Sequence, residues 1–395
     1  MIHNKLTILS YLYDPESGSE AGLGPAAVGM MEFKKTRVLV EQSQLKNING
    51  RNRKLYGIDL VTHRFNGRSR VYVGIGARSP AQTDFGHRVH YQLWLWYTWL
   101  LSGRLRLKGV FWHVCFAQLA GLNPWLITHR DSLLFGPVGG RAPVFKYKWL
   151  PVLTRVKSFV LIAGVYAVMR LTLKKAHVIF VHPYLADIFP ENDTTREAPV
   201  LPAVTYHSSL STYASRDFSE RNLIIFVGRK IETKNPDLTN GIFRILAPRY
   251  PALNFLIVGP GWKDEDILPN FSTKTYQKWD CISGYMQKAR LSVFLSFELA
   301  GEVSLQCAAA SCPTFCFEGF GADFLVNPSP KFKVAPPVNE YDSISEQLAE
   351  KISMLIADDK ELKREGDRQN KAASRWSKGN KASIVGRRLE KLKML

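Results

Sequence analysis

The stretch from Leu291 to Pro313, LSVFLSFELAGEVSLQCAAASCP, changes character twice within a few residues. Leu291 to Phe297 is a short apolar run with β-branched and aromatic residues, the composition of a strand buried on both faces. Glu298 follows it directly, and Gly301 then supplies backbone that can bend closely around a ligand. Glu302 to Ala310 is small, apolar and helix-forming, which predicts a helix packed at its N-terminus against a sheet. Free N–H groups and the helix dipole favour an anion at such a start, and open α/β sheets bind ligands beyond the ends of their parallel strands. Glu298 is then either a ligand group or simply a capping residue.

Working outward, the same alternation recurs. Asn222 to Gly228, NLIIFVG, reads as a strand, with Arg229 and, five residues on, Lys234. A helix over Asn235 to Leu246, a break at APRYP and a strand LNFLIVG complete a β-α-β unit. Two cations at the end of a buried strand suit a diphosphate, because an isolated buried cation is costly; the alternative is solvated surface charge. Lys274 to Trp279 and Cys281 to Arg290 read as the next strand and helix, and Glu318 to Val326 as a loop and strand. An amphipathic helix near Ser343 to Ile356 and a charged one from Lys360 end the chain.

The N-terminal half repeats the scheme less cleanly. Leu6 to Leu12 is apolar enough for a first strand, followed by a Gly-rich turn with Gly18, Gly22 and Gly24 and a helix-like AAVGMMEF. Arg37 to Glu41, Arg70 to Ile75, Gly109 to Val114 and His177 to His182 are further strands. Gln42 to Arg68 is polar and basic and reads as a loop or a mobile acceptor-side lobe. His113 stands at a strand end, where a lone His beside Trp112 is either structural or functional. Phe135 to Gly140, FGPVGG, reads as a close-approach loop after an apolar strand, with Arg141 as a cation for a phosphate.

With 395 residues the chain is long enough for two domains with separate cores, and nothing in its composition suggests disorder. Its formal charge of +19 is concentrated: up to Thr205 there are 26 Lys and Arg against 12 Asp and Glu. Nucleic acid or an anionic membrane surface would attract such a half. Tyr91 to Lys108, YQLWLWYTWLLSGRLRLK, sets aromatics beside cations as a headgroup interface does, or as an ordinary helix covering a sheet does. Ser158 to Met169 is apolar but short for a bilayer, so a buried or interfacial helix is expected. Without a recognition helix or ribonucleoprotein motif, no nucleic-acid partner is expected. The first residues lack the features of a signal peptide, and Cys115, Cys281, Cys307, Cys312 and Cys316 lack metal spacing. Together these features read as reduced core thiols in a cytoplasmic protein, peripheral on the inner face of a membrane.

Five segments, in this order, resemble motifs of retaining glycosyltransferases of the E-x7-E type (group 1, family 4-like), and among them a surface-polysaccharide subgroup with GSE and GPVGG motifs. They are GSEAGLG at Gly18, HVCF at His113, FGPVGG at Phe135, VGR-x4-K at Val227 and E-x7-Q at Glu298. The resemblance implies a GT-B fold, two Rossmann-like parallel-sheet domains facing a central cleft. Residues 1–205 would form the acceptor-side domain, 206–221 the linker and 222–375 the donor domain. A C-terminal helix over 376–395, Trp376 included, would pack back on the first domain. It implies sugar transfer from a nucleotide diphosphate sugar to an acceptor hydroxyl; the basic, aromatic N-terminal half, not a motif, suggests a membrane-proximal or lipid-linked glycan as that acceptor. Glu298 and His113 would be the catalytic pair beside the transferred sugar. Gly228, Arg229, Lys234, Gly301, Glu302 and Val303 would hold the diphosphate, with Gly18, Ser19, Glu20 and Gly22 closing on it. Gly136, Gly139, Gly140 and Arg141 would form the acceptor loop. Gln306 replaces the second acid, which holds the ribose in the family; an amide cannot accept from both hydroxyls as a carboxylate does. The co-substrate is the nucleotide sugar, and no metal is expected. A non-catalytic nucleotide-sugar binder and a GT-B sugar-nucleotide epimerase are the alternatives.

Overall fold

Continuous apolar runs make strands buried on both faces, and the amphipathic segments between them become the covering helices. In the computed structural model, the residues described are 5–11, 27–28, 35–48, 50–55, 58–65, 68–76, 84–105, 107, 109–114, 123–128, 132–139, 142–148, 150–172, 177–187, 198–202, 218–275, 277–337 and 343–391. The chain divides into two units. One comprises Met1–Gly140, Ala163–Thr205 and Lys378–Leu395, the other Arg141–Ile162 and Tyr206–Ser377.

Among the described residues of the first unit, eight strands form one mixed sheet: β1 (Lys5–Leu9), β2 (Lys35–Glu41), β3 (Arg51–Leu55), β4 (Ile58–Phe65), β5 (Arg68–Ile75), β6 (Val110–His113), β7 (Leu133–Val138) and β8 (His177–Phe180). Their order is β3-β4-β5-β2-β1-β6-β7-β8, parallel from β5 to β8. The loop expected over Gln42 to Arg68 is instead the antiparallel edge β3-β4-β5, with Arg51 opposite Thr62 and Leu55 opposite Ile58. Exposed Arg51 and Asn52 at that edge mask the strand alternation, while Val61 on the partner strand is buried. The FGPVGG segment also differs from expectation, since Gly136 and Pro137 lie within β7. Gly136 has φ +127°, and a Cβ there would fall on the Ile179 carbonyl, so the close approach is to β8.

Among the described residues the helices of the N-terminal half include α1 (Asp84–Arg104), α2 (Pro124–Thr128), α3 (Val152–Thr172) and α4 (Pro183–Asp187). On α1, Tyr91, Trp94, Leu95 and Leu101 are buried, whereas Leu93, Trp96, Tyr97 and Leu100 are exposed, so this helix is apolar on both sides. The run around Ser158 is not a buried helix: Phe159 and Val160 are exposed. No described helix is long and apolar enough to cross a membrane.

The second unit's sheet follows the order β11-β12-β10-β9-β13-β14-β15. Its strands are β9 (Leu223–Val227), β10 (Asn254–Val258), β11 (Glu265–Leu268), β12 (Phe271–Lys274), β13 (Ala289–Phe294), β14 (Thr314–Phe317) and β15 (Lys333–Val334), with β11 antiparallel to its neighbour. All five residues of β9 are buried. The helices are α5 (Pro236–Arg249), α6 (Trp279–Lys288), α7 (Glu302–Ala309), α8 (Gly321–Val326), α9 (Ile344–Ile356) and α10 (Asp359–Ala373). Two expectations are corrected: the strand expected at Lys274 to Trp279 ends at Lys274, and the strand expected before Val326 is helix α8; β11, β14 and β15 carry no expectation from the sequence. Trp376 lies in this unit, its Nε1 donating to the Leu325 carbonyl (3.0 Å) beside Phe324. The helix after it, α11 (Lys378–Lys391), belongs to the first unit. Cys281 is exposed, while Cys307, Cys312 and Cys316 are buried thiols; Cys115 lies outside the described residues.

Candidate active site

The residues singled out in the second unit gather at the C-terminal ends of β9 and β13. Gly228, just past β9, has a backbone carbonyl that accepts from Trp262 Nε1 (3.2 Å). A Cβ on Gly228 would lie 2.8 Å from Lys234 Cδ, so the glycine makes room for the lysine stem. The chain then takes a single turn, Glu232–Lys234, into left-handed Asn235 (φ 47°), with Pro236 opening α5. Asn235 Nδ2 donates to the Leu295 carbonyl (2.7 Å). Thr233 O accepts from Phe297 N (2.8 Å) and Ser296 Oγ (3.1 Å). These bonds stitch the loop after β9 to the loop after β13, which fixes the side chains each one carries.

Those side chains are Lys234 and Glu298. Lys234 Nζ lies 2.8 Å from Glu298 Oε2, with side-chain exposures of 8% and 21%, and 5.3 Å from the Phe294 ring centroid. A pair this far withdrawn from water gives up most of its solvation, so each charge depends on the other. Glu298 is held by its backbone as well, its N–H donating to Ser296 Oγ (3.1 Å) and its carbonyl accepting from Gly321 N (2.8 Å). Three residues on, Gly301 sits at φ 59°, ψ 26° and starts α7 without a side-chain cap. Glu302 and Val303 form the first turn; Val303 packs on Phe294, Cys316 and Ala322, leaving its backbone as the part that can serve a ligand. Gln306, one turn further, is buried. Arg229 is exposed beside Gly228. An ammonium, an uncapped helix start and an oriented carboxylate on one sheet rim can hold an anion and accept hydrogen bonds from hydroxyls.

The first unit places its candidates differently. His113 ends β6 and is 1% exposed. Its Nδ1 lies 3.1 Å from Asn123 Nδ2 and its Nε2 2.8 Å from the Tyr91 hydroxyl. Because the amide can only donate, Nδ1 is the acceptor and Nε2 carries the proton toward Tyr91. Gly136 lies in β7; Gly139 follows it with open space at its Cβ. Gly18, Ser19, Glu20, Gly22, Gly140 and Arg141 lie outside the described residues. Among the described residues no group of three or more His, Cys, Asp or Glu could hold a metal ion.

Sequence reasoning missed Thr233, Asn235, Phe294 and Gly321. Asn235 was legible only as the first residue of a helix, from the Asn-Pro before an apolar helical period. The other three act through contacts distant in sequence, for which no local pattern exists.

The chain has the GT-B fold of glycosyltransferases, as its structural neighbours show. HepE of Anabaena, solved with UDP and glucose, superposes with a TM-score of 0.58 at 12% identity, over 98% of this chain and 99% of its own. The pneumococcal O-GlcNAc transferase GtfA, solved with UDP and GlcNAc, gives 0.64 at 11% identity over 99% of each chain. WaaG, a glycosyltransferase involved in lipopolysaccharide biosynthesis, gives 0.59 at 14% identity, over 96% of this chain and 99% of its own. No family model and no curated protein matches the sequence.

Proposed function

We propose that the protein is a retaining glycosyltransferase that moves a hexose from a nucleotide diphosphate sugar to an acceptor hydroxyl. The observation that carries this reading is the Lys234–Glu298 pair beside the Gly301 helix start, on the sheet rim of a unit whose fold is that of enzymes solved with UDP. In the reaction the bond from the anomeric carbon to the diphosphate oxygen breaks and a bond to the acceptor oxygen forms on the same face. The acceptor proton passes to the departing diphosphate. Charge develops on the leaving group and on an oxocarbenium-like sugar, and catalysis consists of stabilising both. Lys234, Arg229 and the first-turn N–H groups of α7 take the diphosphate charge without a metal, and Glu298 orients sugar hydroxyls. Gln306 serves the ribose. His113 is a positioning residue that sets the Tyr91 hydroxyl, and the segments at Gly18 and Gly140 complete the donor and acceptor sides. The acceptor is a membrane-proximal or lipid-linked glycan of a surface polysaccharide, worked on at the cytoplasmic face.

The test is calorimetric titration with UDP-, GDP-, ADP- and dTDP-sugars, followed by transfer assays with membrane glycans. One donor should bind to the wild type; Arg229→Ala should weaken binding, and Glu298→Gln should retain binding but lose transfer. Failure of every donor to bind a folded protein would end this reading. Binding without transfer or hydrolysis would favour a non-catalytic binder, and donor conversion without acceptor an epimerase.

A further inference from the structure

We propose that the exposed apolar face at the start of α3 seats in the headgroup region of an anionic lipid surface. It rests on the membrane-proximal part of the reading above and goes beyond it in naming the surface that touches lipid. Val152, Leu153, Val156, Phe159 and Val160 are between 53% and 79% exposed. Their spacing puts all five on one stripe of the helix. Phe145, also exposed, extends the stripe, its ring edge-on to Phe159 at 5.7 Å.

The opposite side of the same turns is fastened down. Ser158 is buried with its Oγ donating to the Ala142 carbonyl (3.4 Å), and Thr154 Oγ1 donates to Glu232 Oε2 (3.0 Å). Arg155 flanks the stripe and donates from Nε to the Phe145 carbonyl (3.1 Å). The apolar side chains are therefore presented outward from an anchored helix, in an orientation that leaves them in water.

The charge around them selects the occupant. From Ser132 to Ala186 the chain carries eight Lys and Arg and no Asp or Glu. Lys146, Lys148 and Lys157 are exposed beside the stripe. A second copy docked face to face would set this basic rim against itself, which opposes dimerisation here. An anionic bilayer surface offers apolar depth for the stripe and phosphate for the rim at once. With no described helix suited to crossing, the helix lies in the interface rather than through it.

The experiment is flotation of the full chain with vesicles of phosphatidylcholine and phosphatidylglycerol in equal parts, and with phosphatidylcholine alone. The wild type should float with the anionic vesicles and far less with the neutral ones. Leu153→Glu combined with Phe159→Glu should lower partitioning by about tenfold or more, since it removes apolar contact and adds repulsion. Met354→Glu, on the exposed side of α9, should leave partitioning unchanged. A double variant that floats like the wild type, or a wild type that does not float, overturns the proposal. Loss of self-association in the double variant, with no flotation of either protein, would assign the face to contact between copies and overturn it too. Vesicle binding needs no donor, so failure here leaves nucleotide-sugar binding to be judged by calorimetry.

Discussion

Gly301 is the residue on which the helix start depends most directly. At φ 59° an L side chain is strained, and its Cβ would lie 2.6 Å from the backbone of Gly321 and Ala322. Gly301→Ala should cost more than about 1 kcal/mol, from backbone strain plus displacement of α8. Gly139→Ala, with nothing within 4 Å of its Cβ, should be near neutral. Urea unfolding of both variants checks the contrast, and equal midpoints would refute it. Tyr147 offers a pH test. Its ring stacks on Phe297 at 4.9 Å, and burial pushes the phenol up to about 12. Since the folded value lies above the ordinary 10, stability is intact below pH 10 and is lost as pH rises toward 12, by roughly 2.7 kcal/mol at most. Tyr147→Phe keeps the stack and abolishes that alkaline loss; unfolding midpoints at about pH 9 and about pH 11 should fall for the wild type and hold for the variant. At this scale the sequence singles out Lys234, Glu298 and Gly301 one at a time, as candidates. It was silent on the ion pair joining the first two, because their contact follows from the Thr233 stitch between two loops.

Helix α10 shows what an element hides. Its sequence, DKELKREGDRQNKAA, reads as a solvated charged helix, yet Leu362, Glu365, Gln369 and Ala373 are buried. A binary reading assigns polar residues to the outside, so Glu365 and Gln369 could not be recognised as its inner face. Gln369 behaves as an inserted peptide group: Thr314 N donates to its Oε1 (2.8 Å), and its Nε2 donates to the Thr314 carbonyl (3.1 Å). It thereby satisfies the first residue of β14, a strand whose position was equally unreadable. Gln369→Leu fills the space but orphans two buried backbone groups, so it should cost about 1–3 kcal/mol for each. Arg364→Ala, removing a 73% exposed guanidinium whose partner Glu361 keeps Lys331 Nζ at 3.6 Å, should stay within about 0.5 kcal/mol. Glu365 adds an acid limb. Burial pushes its carboxyl up, but hydrogen bonds from Arg368, Gln369 and the Ser329 N–H bring it below the ordinary carboxylate range. Its contribution is present above the unfolded value and lost as pH falls through the folded one. Glu365→Gln should therefore flatten the decline of the thermal midpoint below about pH 4.5. An unchanged acid slope in that variant would assign the decline to other carboxylates.

The whole molecule is less modular than its order of motifs suggests. Alternating strands and helices pointed to two sheets, and strand-rich runs such as NLIIFVG located β9, β10 and β13 of the second one. That Arg141–Ile162 belongs with the second unit was not legible, because it is decided by contacts between distant residues. Arg141–Ile162 joins the second unit through Tyr147 on Phe297 and Thr154 on Glu232, although it lies between strands of the first. The tail crosses in the other direction. Lys381, 1% exposed, donates from Nζ to the Pro202 carbonyl (2.8 Å), and Val385 is fully buried. Pro202 closes a segment that runs beside β8, with Leu201 N donating to Phe180 O (2.7 Å) and Phe180 N to Pro199 O (3.0 Å). Removing Lys378–Leu395 takes away the cover of that segment but nothing from β9 or β10. Amide exchange at Phe180 and Leu201 should then accelerate, while Ile224 to Val227 keep the protection of the full-length chain. Uniform loss across both units would mean that they unfold together and that α11 is part of a shared core. Unchanged protection at Phe180 would mean that the Lys381 bond closes nothing, and the first unit would be complete without its last segment.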